Sequence, residues 1–123
     1  MENKKILIVE DEKPMARAIE CKLKQNNFTI KIASNGEEAL TILGGEIFDL
    51  IILDLIMPEM DGFTLLASLA EKGINIPVIV LTNLSQEEDI KRTKDYKVVD
   101  YCVKSEISLI DLVKKIKLFF IEK

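Results

Sequence analysis

The 123-residue sequence contains no histidine and no tryptophan. Without histidine it has no Ser-His or Cys-His nucleophile pair, lacks the commonest zinc ligand, and cannot itself carry a phospho-histidine. Cysteine is scarce. Cys21 and Cys102 lie far apart and form no CxxC pair, so both are expected to be small buried hydrophobes. Long apolar runs are missing as well: none approaches the ~18 residues of a membrane helix. The opening Met1-Glu2-Asn3-Lys4-Lys5 leads only to Ile6–Val9, far too short for the core of a signal peptide. Nor is there an excess of basic charge. Seventeen Lys and Arg against 21 Asp and Glu leave a net charge of −4, with no electrostatic reason for direct nucleic-acid binding. These absences lead to the expectation of a cytoplasmic chain that contacts neither membrane nor nucleic acid. What is present, 48% apolar and 31% charged residues, suits one globular domain over residues 1–123 with a hydrophobic core of its own.

Five apolar runs alternate with helical patterns. Ile6-Leu7-Ile8-Val9 ends at Glu10-Asp11-Glu12, and a helix from about Pro14 to Gln25 follows, with Met15, Ile19 and Leu23 four apart. Phe28 to Ile32 alternates as an edge strand with one wet face would. Ser34-Asn35-Gly36-Glu37 reads as a capping box for a helix carrying Ala39, Leu40 and Leu43 and stopping at Gly44-Gly45. Leu50-Ile51-Ile52-Leu53 reads as a strand buried on both faces, running directly into Asp54. Pro58 then forces a turn, Asp61-Gly62 supplies turn residues, and Phe63, Leu65, Leu66 and Leu69 recur at helical spacing. Pro77 to Leu81 gives a fourth strand ending at Thr82. Ser85-Gln86-Glu87-Glu88 reads as a second capping box, opening a mostly charged helix to about Tyr96 with few core anchors besides Ile90. Val98 to Val103 is the fifth strand, ending at Lys104. The last helix puts Leu109, Leu112, Val113, Ile116 and Phe120 on one face and Leu118 opposite, flanked by Ile110 and Ile121. Strict β-α alternation specifies an α/β fold: a doubly wound parallel sheet with helices on both faces and right-handed crossovers.

Ligand sites in such sheets lie at the carboxyl ends of the strands. Glu10 and Asp11, Asp54, Thr82 and Lys104 occupy those ends. Taken singly, each has a plain alternative: Asp54 a turn cap, Glu10-Asp11 a helix-capping cluster, Lys104 a solvated surface lysine. Converging on one crevice, the carboxylates repel one another and call for a cation. An all-oxygen, water-rich set suits Mg²⁺. Cation, ammonium and hydroxyl around one carboxylate make a place for a phosphoryl group, with Asp54 as nucleophile and acceptor.

In these residues the chain resembles the response-regulator receiver domain of two-component signalling. The acidic pair after the first strand, "LDLIMPEMDGF" around Asp54, "VLT" ending the fourth strand and "DYCVK" ending the fifth carry the likeness. The resemblance implies a flavodoxin-like, five-stranded parallel sheet of order 2-1-3-4-5. It implies that Asp54 is the phosphorylated aspartate, and that Glu10, Asp11, Asp54 and the backbone carbonyl of Ile56 bind Mg²⁺. Thr82 would then be the hydroxyl that moves toward the phosphoryl group, Lys104 its ion-pair partner, and Tyr101 the aromatic that swings inward. The phosphoryl donor would be a partner phospho-histidine, on a sensor histidine kinase or a histidine phosphotransfer protein. The output would be a rearranged surface of the fourth helix, fifth strand and fifth helix that regulates a downstream protein. The only catalysis expected is of the chain's own aspartyl phosphorylation and dephosphorylation.

Four departures from the family pattern stand out. Asn83 replaces a small residue after the threonine and narrows the way to the acceptor. Ser105 replaces the proline that usually follows the lysine. Lys97 stands where a glycine commonly precedes the fifth strand. Ile56 and Leu84 occupy positions that are polar in many relatives, which predicts slow hydrolysis of phospho-Asp54 because nothing there orients a water. Leu118 marks a partner-docking or homodimer surface, or is a single exposed apolar residue. Asn83 and Ser105 also support an alternative reading, a phosphate-independent receiver-like interaction module. A nucleotide-binding domain is disfavoured, because Glu10-Asp11-Glu12 would repel phosphate at the first loop.

Overall fold

The computed structural model describes residues 3–122. Five strands alternate with five helices: β1 (Lys5–Val9), α1 (Lys13–Lys24), β2 (Thr29–Ala33), α2 (Gly36–Leu43), β3 (Leu50–Leu53), α3 (Gly62–Glu71), β4 (Val78–Thr82), α4 (Glu87–Thr93), β5 (Val98–Val103) and α5 (Leu109–Glu122). A single 3-10 turn, Lys104–Glu106, joins β5 to α5. All strand pairs are parallel and the order is β2-β1-β3-β4-β5, as expected. The order reverses at β1, which lies between β2 and β3. The crevice therefore opens beside the carboxyl ends of β1 and β3.

The three central strands are buried on both faces, which is why their sequences run apolar without alternation. Successive residues still point to opposite sides. Leu7, Val9, Ile51, Leu53, Val78 and Val80 pack with Ala39 and Leu43 of α2 and Leu65, Leu66 and Leu69 of α3. Ile6, Ile8, Leu50, Ile52, Ile79 and Leu81 pack with Ala16, Ile19 and Leu23 of α1 and Leu112, Val113 and Ile116 of α5. Edge strand β2 alternates exposed and half-buried residues, as its sequence predicts.

Several local expectations are corrected. The cap of α2 is Asn35, not Ser34: Glu38 N–H donates to Asn35 Oδ1 at 2.8 Å, and the Glu38 carboxylate accepts from Ser34 N–H at 2.9 Å. The box has shifted by one residue, since Asn caps as well as Ser. The second box does not form. Gln86 is the N-cap of α4, without a side-chain cap bond, and the helix ends at Thr93 rather than near Tyr96. Thr93 is its one fully buried residue among those described, so little burial sustains further turns. Cys21 is exposed on α1, whereas Cys102 is buried and its thiol is pushed up to about 11, chiefly by burial. Lys97 adopts no left-handed conformation; its carbonyl accepts from Val78 N–H at 2.9 Å and starts the β4–β5 ladder. No peptide bond among the described residues is cis, so Lys104–Ser105 is trans.

Candidate functional site

Asp54 follows β3 directly, and its backbone N–H donates to the Val9 carbonyl at 3.0 Å, extending the ladder one residue past the strand. That bond fixes the side chain at the crevice, where it is 4% exposed. Glu10 stands one strand over, its N–H bonded to the Ala33 carbonyl at 3.0 Å, and is 3% exposed. Lys104 reaches back from the end of β5. Its ammonium lies 2.7 Å from Glu10 Oε1, 2.9 Å from Asp54 Oδ2 and 3.0 Å from Glu12 Oε1. The remaining oxygens find backbone donors: Asp54 Oδ1 accepts from Ile56 N–H at 3.1 Å, and Glu10 Oε2 from Glu12 N–H at 3.1 Å. No buried side-chain polar atom among the described residues lacks a partner.

The electrostatics follow from burial against charge. Burial pushes the Glu10 carboxyl up, against the lowering effect of the Lys104 ammonium. For Lys104, burial opposes the charged form, but hydrogen bonds to Glu10, Asp54 and Glu12 outweigh it and hold the amine well above its ordinary range. The site thus keeps a permanent cation beside two buried carboxylates.

Thr82, fully buried, ends β4, and its hydroxyl oxygen accepts a long bond from Leu84 N–H at 3.5 Å. Tyr101 on β5 is half-buried, and its hydroxyl donates to the Leu84 carbonyl at 2.7 Å. Burial, with Asp89 and Asp54, pushes that phenol up to about 12. One loop residue, Leu84, therefore donates to Thr82 and accepts from Tyr101, tying the strand ends to the start of α4. Asn83 is exposed on the same loop and Ile56 is 51% exposed beside the acceptor.

Glu10, Glu12 and Asp54 present carboxylate oxygens within 4.8 Å of one another. This all-oxygen set fits a hard divalent cation. Asp11, half-buried on the bend after Glu10, lies outside that trio. Ile56 begins the loop beyond Asp54, where its carbonyl is two residues from the acceptor. Leu118 is 53% exposed on α5, where it lines a cleft shared with Tyr101 and Val103 of β5. Two further residues belong to the site. Glu12, which the sequence presents only as part of an acidic run, grips Lys104. Gly62 is more than a turn residue, because a Cβ there would lie 2.6 Å from Leu55 Cα and 2.7 Å from the Asp54 carbonyl oxygen. Only glycine lets α3 start so close to the acceptor.

The model of the response regulator receiver domain family matches residues 6–117. The chain belongs to this family. Among curated relatives of this receiver domain, the transcriptional regulatory protein DltR of Streptococcus agalactiae is 33% identical over 100 residues, covering 81% of this chain and 45% of DltR. A probable transcriptional regulator, ycf27, of Porphyridium aerugineum is 36% identical over 104 residues, covering 85% of this chain and 43% of its own. The chain thus spans less than half the length of these curated relatives. Among solved structures, a Francisella response regulator receiver domain superposes with a TM-score of 0.88 at 32% identity, covering 98% of each chain. The response regulator TrrA of Thermotoga maritima, solved in complex with Mg²⁺ and BeF, gives 0.81 at 30% identity, covering 93% of this chain and 96% of its own. Receiver domains use Mg²⁺, and the acidic trio here offers suitable donors. No helix among the described residues is long and apolar enough to cross a membrane.

Proposed function

We propose that the chain is a phosphorylation switch in which Asp54 accepts a phosphoryl group from a phospho-histidine on a partner kinase or phosphotransfer protein. One observation carries this reading: Lys104, held by Glu10 and Asp54, keeps a positive charge against a buried carboxylate at the sheet's switch point. An Asp54 oxygen attacks phosphorus, the P–N bond breaks, and the imidazole leaves with its electron pair and takes up a proton. Lys104 donates to an oxygen of the transferred group, and the Thr82 hydroxyl supplies a second donor. Glu10 and Asp54, with Asp11 and the Ile56 carbonyl as the family resemblance implies, would hold Mg²⁺, which would supply the balancing charge. Hydrolysis of the acyl phosphate reverses the state, so the chain catalyses only its own modification.

The output runs through Leu84. If Thr82 turns toward the phosphoryl group, the loop that also holds the Tyr101 hydroxyl must move, and α4, anchored by little burial, moves with it. This biases the surface of α4, β5 and α5 between two arrangements for a downstream protein. The exposed Leu118, beside a cleft of about 310 Å³ lined by Val99, Lys115 and Phe119, belongs to that surface and is the place for partner docking or a homodimer.

The test is intact mass after incubation with acetyl phosphate and Mg²⁺, with Asp54→Ala alongside. A gain of one phosphoryl group in the wild type alone supports the switch. No gain in a folded protein that also fails to bind Mg²⁺ favours the phosphate-independent interaction module, to which Asn83 and Ser105 point.

A further inference from the structure

Lys104 has three N–H donors and three carboxylate acceptors, so its ammonium is saturated. A phosphoryl oxygen on Asp54 can gain a bond from it only if an existing partner yields. The partners are unequal. Glu10 is 3% exposed at its side chain and Asp54 5%, whereas Glu12 is 61% exposed. Releasing Glu10 would strand a buried carboxylate, which is costly; releasing Glu12 only returns it to water.

The local backbone points the same way. Glu12 is the N-cap residue of α1 and makes no side-chain cap bond. Its side chain instead crosses the crevice to a lysine 92 residues away. Its own N–H is fastened to Glu10 Oε2, which fixes where that side chain starts.

We infer that Glu12 is the exchangeable counter-ion of Lys104, holding the ammonium in the unphosphorylated chain and yielding it to a phosphoryl oxygen once Asp54 is modified. Glu12 is a positioning residue in this scheme: it acts on the phosphoryl group through Lys104. The inference rests on the reading of Asp54 as the phosphoacceptor.

The test uses beryllofluoride as the phosphoryl mimic, titrated calorimetrically at saturating Mg²⁺ into the wild type, Glu12→Gln and Glu12→Asp, with Mg²⁺ alone titrated first. Aspartate keeps the charge but falls one methylene short of Lys104. Both variants are expected to bind beryllofluoride roughly two- to fivefold more tightly, the size of an exposed ion pair, with the gain shrinking at high salt. A gain in Glu12→Gln but not Glu12→Asp would show a general field effect and overturn the inference. Unchanged or weaker binding in both variants would overturn it too. Failure of the wild type to bind beryllofluoride while it binds Mg²⁺ would instead overturn the phosphoacceptor reading beneath it.

Discussion

Replacing Lys104 by methionine keeps an unbranched aliphatic stem and removes only the ammonium. Glu10 and Asp54, 3% and 5% exposed at their side chains, then face each other without a cation. Breaking a buried ion pair from one side costs about 3–5 kcal/mol. The carboxylates have an escape, however, because one of them can take up a proton. From the ordinary Glu value of 4.5 to pH 7 that escape costs about 3.4 kcal/mol, at about 1.4 kcal/mol per pH unit. The deficit at pH 7 is therefore capped near 3 kcal/mol. Burial already holds Glu10 above 4.5 in the folded chain, and without Lys104 only the hydrogen bond from Glu12 N–H still opposes that shift. A raised acid binds its proton more tightly when folded, so the variant's stability falls as pH rises above 4.5. Its deficit against the wild type should therefore shrink to about 1 kcal/mol near pH 5. Urea unfolding of both proteins at pH 5, 6 and 7 in EDTA measures it, and adding Mg²⁺ should recover part of the loss by binding only the folded acids. A deficit that stays constant across this pH range would refute the reasoning, placing the cost in lost packing instead of stranded charge.

Ile56→Asn, which puts a carboxamide at the half-exposed mouth of the site, should speed decay of phospho-Asp54 by roughly tenfold or more, read by the return of intact mass after donor removal; an unchanged rate would sink the idea. Leu118→Glu should abolish any concentration-dependent rise in light scattering, with and without phosphorylation, if its face mediates self-association. Gly62→Ala should destabilise by about 1–3 kcal/mol in urea unfolding, because its Cβ meets backbone at 2.6 Å and 2.7 Å. It should also slow phosphorylation by displacing Leu55 and the adjoining Asp54.

Periodicity alone was enough to recognise the alternation of strands and helices and hence a parallel sheet, while the strand order 2-1-3-4-5 came from the family resemblance. Apolar runs buried on both faces leave no other place for Leu50–Leu53 or Val78–Leu81 than between two layers of helices. The positions of Glu10, Asp54, Thr82 and Lys104 at strand ends followed from the same pattern. Boundaries were less legible where burial is thin. The cap of α2 rests on one hydrogen bond that a neighbouring residue supplies equally well, Asn35 in place of Ser34, and α4 starts at Gln86 without a side-chain cap bond and stops at Thr93 for want of burial. Cys21 shows the same weakness: its place in a helix could be read, but its outward face could not.

What the sequence by itself determined is the architecture and the list of chemically competent residues, because burial periodicity and turn chemistry are local. Tertiary structure alone decided how those residues share their contacts. Lys104 and Glu12 are 92 positions apart, and their pairing at 3.0 Å depends on β1 and β5 ending at one crevice. Likewise Tyr101 reaches the Leu84 carbonyl only because β5 lies beside β4 in register. Such contacts are set by the docking of distant strand ends, a property no local pattern contains.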